Sequence, residues 1–362
     1  MAIDLAERAG RRAGFAALAG TLLLSEPGDS VASFVSQVPG LEALADSSLS
    51  VEFERIFLRS VPPYESVFRS DSAERGGAAA ARVADFFDDI GFDEHRTNRW
   101  RVAGPDHLGL LVRAHAFVVG LEAAAWRGER PDEAARHVET QRRLFAEHLG
   151  WWGQMCLDAL GVAATVSVPA SPATPYGSFI HAVGEFLSEE VDALRPLPLL
   201  DTSQLDTGSA PRKLGPRRLA RHILSPARCG FWLGAESIAA SAHSLGFPWR
   251  PMDGRGNLVP LVSAAFDAGE LPALVAPWAQ LSARAAEAHG KRAVAEPGSE
   301  LVWRHHQSLA VATTQLLEGI VDSGSAADDD DEEIIMRVAG SGAHRAIDIL
   351  RNQGFDAEIV GE

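Results

Sequence analysis

Cysteine is nearly missing from this chain: among 362 residues only Cys156 and Cys229 occur, far apart and with no CxxC pairing. That excludes a disulfide framework and suits a reducing compartment. Lysine is as scarce, since Lys213 and Lys291 stand alone among 33 basic residues, a bias to which no function attaches. Positive charge is in deficit overall, with 49 acidic residues giving a net charge of −16. Six of the excess acids form one run, Asp328 to Glu333, so the remainder is only moderately acidic. A broad nucleic-acid or anionic-membrane surface is disfavoured by that balance. Also missing is any run of the roughly 18 to 20 apolar residues expected of a membrane span. The motifs of common chemistries are absent as well. There is no HExxH, no His-x-His, no GxSxG and no Walker A loop.

What is present is an ordinary globular composition, 46% hydrophobic and 23% charged, with enough length for about two domains at roughly 150 residues each. Alanine, leucine and arginine dominate the first two hundred residues, and apolar positions recur at intervals of three and four. Helices are expected over Ile3–Ser25, Asp29–Gln37, Ser48–Arg59, Ser72–Ile90, Asp106–Trp126, Asp132–Leu149, Trp151–Leu160 and Pro175–Leu194. Pro196 to Pro216 concentrates Pro, Gly, Ser, Thr and Asp, and reads as a linker. A second helical segment follows, with Ala235–Leu245, Leu258–Ala268, Leu274–His289 and Glu300–Val321 as its helices. Trp232, Trp249, Trp278 and Trp303 give that segment enough apolar bulk to pack. After the acidic run the pattern changes to strand (Ile334–Val338), helix (Ala343–Gln353) and strand (Asp356–Val360). A tail of this size buries little alone, so it should dock on the body or pair with a second copy, which makes a homodimer one expectation.

Arg11-Arg12 followed by the apolar stretch Ala13 to Leu24 has the outline of a twin-arginine export leader. Asp4 and Glu7 precede the pair, and no small-x-small cleavage site follows directly, so a buried first helix is the better reading. A second, less favoured reading has this helix mimic a leader and occupy a groove of its own chain.

Two loops carry the most information. In Val61-Pro62-Pro63-Tyr64-Glu65-Ser66-Val67 the prolines end a helix and stiffen an extended backbone. Tyr64 and Glu65 are thereby held where they can bond a partner or cap a neighbouring helix. Pro105-Asp106-His107 opens the strongest amphipathic helix, with Asp106 placed as its N-cap. His107, in the first turn, should stay neutral because the helix dipole there opposes a positive charge.

PPYESV, then PDHLGLLVRAHAFVVGL about forty residues on, then the FAEHLGWW and TPYGSFIHAVGEFL helices, resemble the TorD/DmsD/NarJ-type chaperones in order and approximate spacing. The resemblance covers roughly residues 5–200. It implies an all-α fold, a TorD-like helical bundle, to which the sequence pattern adds the second helical segment and the short C-terminal strand-helix-strand tail. The divisions expected are a chaperone domain at 1–195, a linker at 196–216, the second helical segment at 217–322, an acidic linker at 323–333 and the tail at 334–362. It further implies a cytoplasmic protein, not an enzyme, that binds the catalytic subunit of a molybdopterin oxidoreductase through its twin-arginine leader and assists cofactor insertion before export. Carried over by position, the peptide-binding residues are Pro62, Pro63, Tyr64, Glu65, Ser66, Pro105, Asp106 and His107. The family's glutamate ahead of this turn is replaced by Ala103-Gly104. No catalytic residue, metal or cofactor is assigned.

Acidic residues near an apolar groove suit a leader peptide, which offers two arginines and then an apolar helix. Two readings from other classes remain. One is a hydrolase or nucleotide-processing enzyme using Asp106 and His107 as acid and base, which lacks an accompanying nucleophile, metal set or phosphate loop. The other is a helical scaffold or regulator whose tail mediates pairing.

Overall fold

The computed structural model describes residues 2–26, 35, 41–70, 73–93, 104–165, 174–195, 214–249, 257–323, 336–338 and 357–359. Most of the expected Asp29–Gln37 helix, the 196–213 linker, the acidic run and the tail helix lie outside these residues.

Helix α1 (Ala2–Leu24) is rich in alanine and leucine and buries Ala6, Ala9, Ala16, Ala19, Leu22 and Leu23. Two short 3-10 turns, Glu42–Ala45 and Ser47–Leu49, lead into α2 (Ser50–Phe53), which widens into a π-helical stretch at Glu54–Ser60. Pro62 and Pro63, lacking an N–H, end it. Next come α3 (Glu65–Arg69) and α4 (Gly77–Ile90). The sequence pattern places the start of this helix at Ser72. Gly76 and Gly77 both take positive φ, at 94° and 69°, and so delay its start.

Helix α5 (Leu108–Arg127) is the spine of the body. Its most apolar window has a mean hydropathy of 1.5, long and apolar enough to cross a membrane by length and composition, yet 72% of it is buried inside the fold. The expectation that no such run exists is corrected, because small residues interleaved with leucine and valine keep the average high without a conspicuous block. α1 lies antiparallel along α5, with Gly20 against Gly109 near one end and Ala9 beside Val119 and Ala123 near the other. A Cβ on Gly20 would come within 2.7 Å of the Gly109 carbonyl oxygen, so only glycine permits this approach.

Helix α6 (Pro131–Leu144) starts on a proline with Asp132 and Glu133 in its first turn, suiting the free amides there. The sequence pattern predicts a break at Gly150. Instead a π-helical segment, Phe145–Leu149, carries it without interruption into α7 (Gly150–Thr165). Gly150 allows this, since a Cβ there would sit 2.6 Å from the Phe145 carbonyl oxygen. α8 (Pro175–Ala193) is capped by the Thr174 side chain, which accepts from the Gly177 amide. One hydrophobic core unites these helices, with Phe57, Phe68, Phe145, Trp152 and Phe179 fully buried in it.

The second core contains α9 (Pro216–Leu224), α10 (Pro226–Cys229), α11 (Ala235–Ser244), α12 (Leu258–Asp267), α13 (Leu271–Ala295) and α14 (Glu300–Ser323). Leu219, Ile223, Val262, Leu274 and Trp278 are buried at its centre. Helices α9 and α10 were not foreseen. Prolines at the first position of each and a glycine directly after Cys229 are the start and stop signals that mark them. Gly230, at φ 75°, turns the chain where a Cβ would lie 2.5 Å from the Ala310 amide nitrogen.

The two cores meet along a seam. Trp232 stacks on Phe68 at 5.2 Å, Ser225 donates to the Ser70 carbonyl at 2.9 Å and Ser60 donates to Glu236 at 2.7 Å. His306 bonds the Trp151 carbonyl at 2.8 Å, and Arg292 pairs with Asp158. At the C-terminal end β1 (Met336–Val338) pairs parallel with β2 (Ala357–Ile359), at the two places read as strands. The described body is therefore all-α, with one two-stranded addition.

Candidate functional site

The two informative loops are stitched to each other. Tyr64 and His107 form an antiparallel bridge. The Glu65 amide donates to the Asp106 carbonyl at 2.9 Å, and the Leu108 amide donates to that of Pro63 at 2.8 Å. Stiff proline backbone on both sides makes the junction possible without long ordered loops.

The side chains cap helices, in an arrangement the sequence reading had one residue out. His107, not Asp106, is the N-cap of α5, its Nδ1 accepting from the Gly109 amide at 3.0 Å. Asp106 reaches across to α3 instead, where Oδ2 accepts from the Ser66 amide at 2.9 Å. Sequence distance hid this second role, because the capped helix lies forty residues upstream. The neutrality expected of His107 holds, but burial supplies it, pushing its pKa down to about 3.

All eight residues carried over from the family are gathered at this junction. Glu65, Ser66 and Asp106 are fully buried, Pro63, Tyr64 and His107 nearly so, and Pro62 and Pro105 partly exposed. Glu65 takes a hydrogen bond from Arg69 at 2.7 Å on one oxygen and meets His148 at 3.0 Å on the other. The carboxylates thus face inward and hold the ends of α3, α5 and the π-helical segment together. Only the proline surfaces meet solvent.

A second constellation escaped the site assignment. Arg12 of α1 lays its guanidinium against Glu190 of α8 as a two-pronged fork, with Nε at 2.7 Å from one oxygen and Nη2 at 2.6 Å from the other. The same Nη2 donates to Gln141 of α6 at 2.8 Å, and Nη1 lies 3.3 Å from Glu122 of α5. Gln141 in turn donates to Glu122 at 2.8 Å, and His115 meets Glu190 at 2.8 Å. Three helices converge on one arginine of a fourth. Burial raises the Glu190 pKa, but the hydrogen bonds from Arg12 and His115 outweigh it and pull the carboxyl down to about 2. For Arg12 burial works the other way, and the two glutamates more than reverse it, raising its pKa. The signal for this site was in the sequence. His115 and Glu122 lie seven apart, on the stripe of α5 that otherwise carries Leu108, Leu111 and Val118 into the core.

Among the described residues no group of three or more His, Cys, Asp or Glu side chains is arranged to hold a metal ion. His305 and His306 diverge along α14 as adjacent helical residues must, and only His306 is buried. Cys156 and Cys229 are both buried and are not joined in a disulfide.

Residues 23–158 match the family model described as nitrate reductase delta subunit, of the NarJ/TorD type. No curated protein and no solved structure matches the chain.

Proposed function

We propose, from the match of residues 23–158 to the nitrate reductase delta subunit family model, that this chain is a cytoplasmic chaperone for the catalytic subunit of a molybdopterin oxidoreductase. It binds the twin-arginine leader or N-terminal region of that subunit, assists cofactor insertion and assembly, and performs no chemistry itself. The family match carries the reading. The loop junction supports it, since the PPYESV and Pro-Asp-His motifs of the resemblance are bonded to each other rather than scattered.

In this reading Glu65, Ser66, Asp106 and His107 are positioning residues, because their polar atoms point into the fold. Pro62 and Pro105 offer the contact surface. The hydrolase alternative draws no support from the geometry, as Asp106 and His107 are each committed to a backbone amide. The divisions at 1–195, 196–216, 217–322, 323–333 and 334–362 remain part of the proposal, with the last strand pair free to join a second copy.

The affinity-tagged full chain, expressed in its native cells while they make molybdoenzymes, is expected to recover a molybdopterin-binding catalytic subunit in the cytoplasmic fraction. Recovery of none from such cells contradicts the reading.

A further inference from the structure

We propose that His115, Glu122, Gln141 and Glu190 form a receptor for the guanidinium of an arginine-bearing helical peptide. In this chain its own Arg12 occupies that receptor, and the first half of α1 acts as a stand-in that such a peptide replaces. The inference rests on the chaperone reading for the source of the peptide, but its physical basis is the pocket itself.

The pocket is built for a guanidinium. Glu190 is 4% exposed and Glu122 9%, whereas Arg12 keeps 27% of its side chain exposed, so the cation enters from the surface into a buried acidic floor. The fork geometry matches what a planar guanidinium offers and an ammonium cannot. Two carboxylates face one arginine, and His115 Nδ1 is buried without a hydrogen-bond partner.

The cover is held unevenly. Beyond Arg12, the first half of α1 reaches α5 through alanines, with Ala9 and Ala13 against Val119 and Ala123, and Ile3 is left 76% exposed. Gly10 and Gly14 lie in this half with nothing within 4 Å of where a Cβ would be. No close approach requires them, and glycine is a poor helix former, so they weaken the segment without a packing reason. The second half is anchored by Ala16, Ala19, Leu22, Leu23 and Leu24 in the main core and by the Gly20–Gly109 contact. Opening would therefore stop near Gly14.

The path suits the ligand. A peptide whose arginine reaches Glu190 would lie along the part of α5 that Ala9 and Ala13 cover, beside Val119 and Ala123, with the anchored half of α1 left in place.

The test uses the full chain and a fluorescent synthetic peptide of its own residues 2–14, with Arg12 present or replaced by alanine. The arginine peptide is expected to bind, and the alanine peptide at least tenfold more weakly. Hydrogen exchange in the complex should show amides of residues 5–13 losing protection while 17–23 keep theirs. A full chain carrying Gly10→Ala and Gly14→Ala, which leaves the pocket untouched, should bind the arginine peptide several-fold more weakly. No binding, equal binding of both peptides, or unchanged protection of residues 5–13 would each overturn the proposal. If a captured client leader binds while those amides stay protected, the chaperone reading stands and this one falls. If the peptide displaces α1 but no client is recovered, the pocket stands and the chaperone reading falls.

Discussion

Glu190→Ala is expected to destabilise the protein by about 3–5 kcal/mol at neutral pH, the usual cost of removing one partner from a buried ion pair. Glu190 receives two hydrogen bonds from Arg12 and one contact from His115, so the change leaves a guanidinium and an imidazole facing apolar surroundings that include Phe145 and Phe186. Partial exposure of Arg12 lets water recover some of the loss, which places the effect toward the lower end of that range. Glu190→Gln, which keeps the shape but removes the charge, should cost less. Urea unfolding monitored by circular dichroism measures both. As a control, Glu54→Ala removes an exposed pair with Arg59 and should change stability by under about 1 kcal/mol. A loss for Glu190→Ala no larger than the control would show that the four-helix network contributes little.

Acidification should cost still more. Burial pushes His107 and His306 down to about 3 and His222 to about 4, the last helped by the positive charge of Arg228. Each is neutral when folded but takes up a proton near pH 6.5 when unfolded, so the unfolded state binds more protons as pH falls. The stability these three supply is fully present above about pH 6.5 and is withdrawn as pH drops toward their folded values. At pH 4.5 the loss is about 2–3 kcal/mol for each. Glu190, whose folded value is about 2, adds its own loss only below the ordinary glutamate range. Asp158 runs the other way: burial and the nearby Glu296 raise its carboxyl to about 6 against the pull of Arg292, so its protonation offsets part of the loss. With total stabilities of about 5–15 kcal/mol typical, thermal melts should fall steeply between pH 6.5 and 4.5. A melting temperature that stays level across that window would contradict the assigned histidine environments.

Helix content was legible wherever an apolar stripe was long and interrupted only by strong signals. Pro175 with Thr174, and Glu300 through Val321, show this. Boundaries failed where a local signal was overridden. Gly150 looks like a helix stop, but an adjacent π-helical turn needed it and carried the helix through. The tandem Gly76-Gly77 did the opposite and postponed α4. Short helices such as α10 were invisible to periodicity because four residues show no repeat.

The site divided along similar lines. PPYESV and Pro-Asp-His could be picked out because proline fixes local backbone, but their bonding to each other spans the gap between α3 and α5. Whether Glu65 and Asp106 face solvent is a tertiary property, and no local pattern carries it. The Arg12 pocket is further removed from sequence, since its residues lie as much as 178 positions apart. Only the interruption of α5's apolar stripe at His115 and Glu122 pointed to something polar within.

This chain is proposed to recognise an arginine-bearing leader of a molybdoenzyme subunit. Calorimetric titration of the full chain with the leader of the captured subunit, and with its arginine-to-alanine counterpart, tests that claim most directly. The first is expected to bind with about micromolar affinity and the second at least tenfold more weakly. Equal binding of the two peptides, or no binding of either, would contradict that claim.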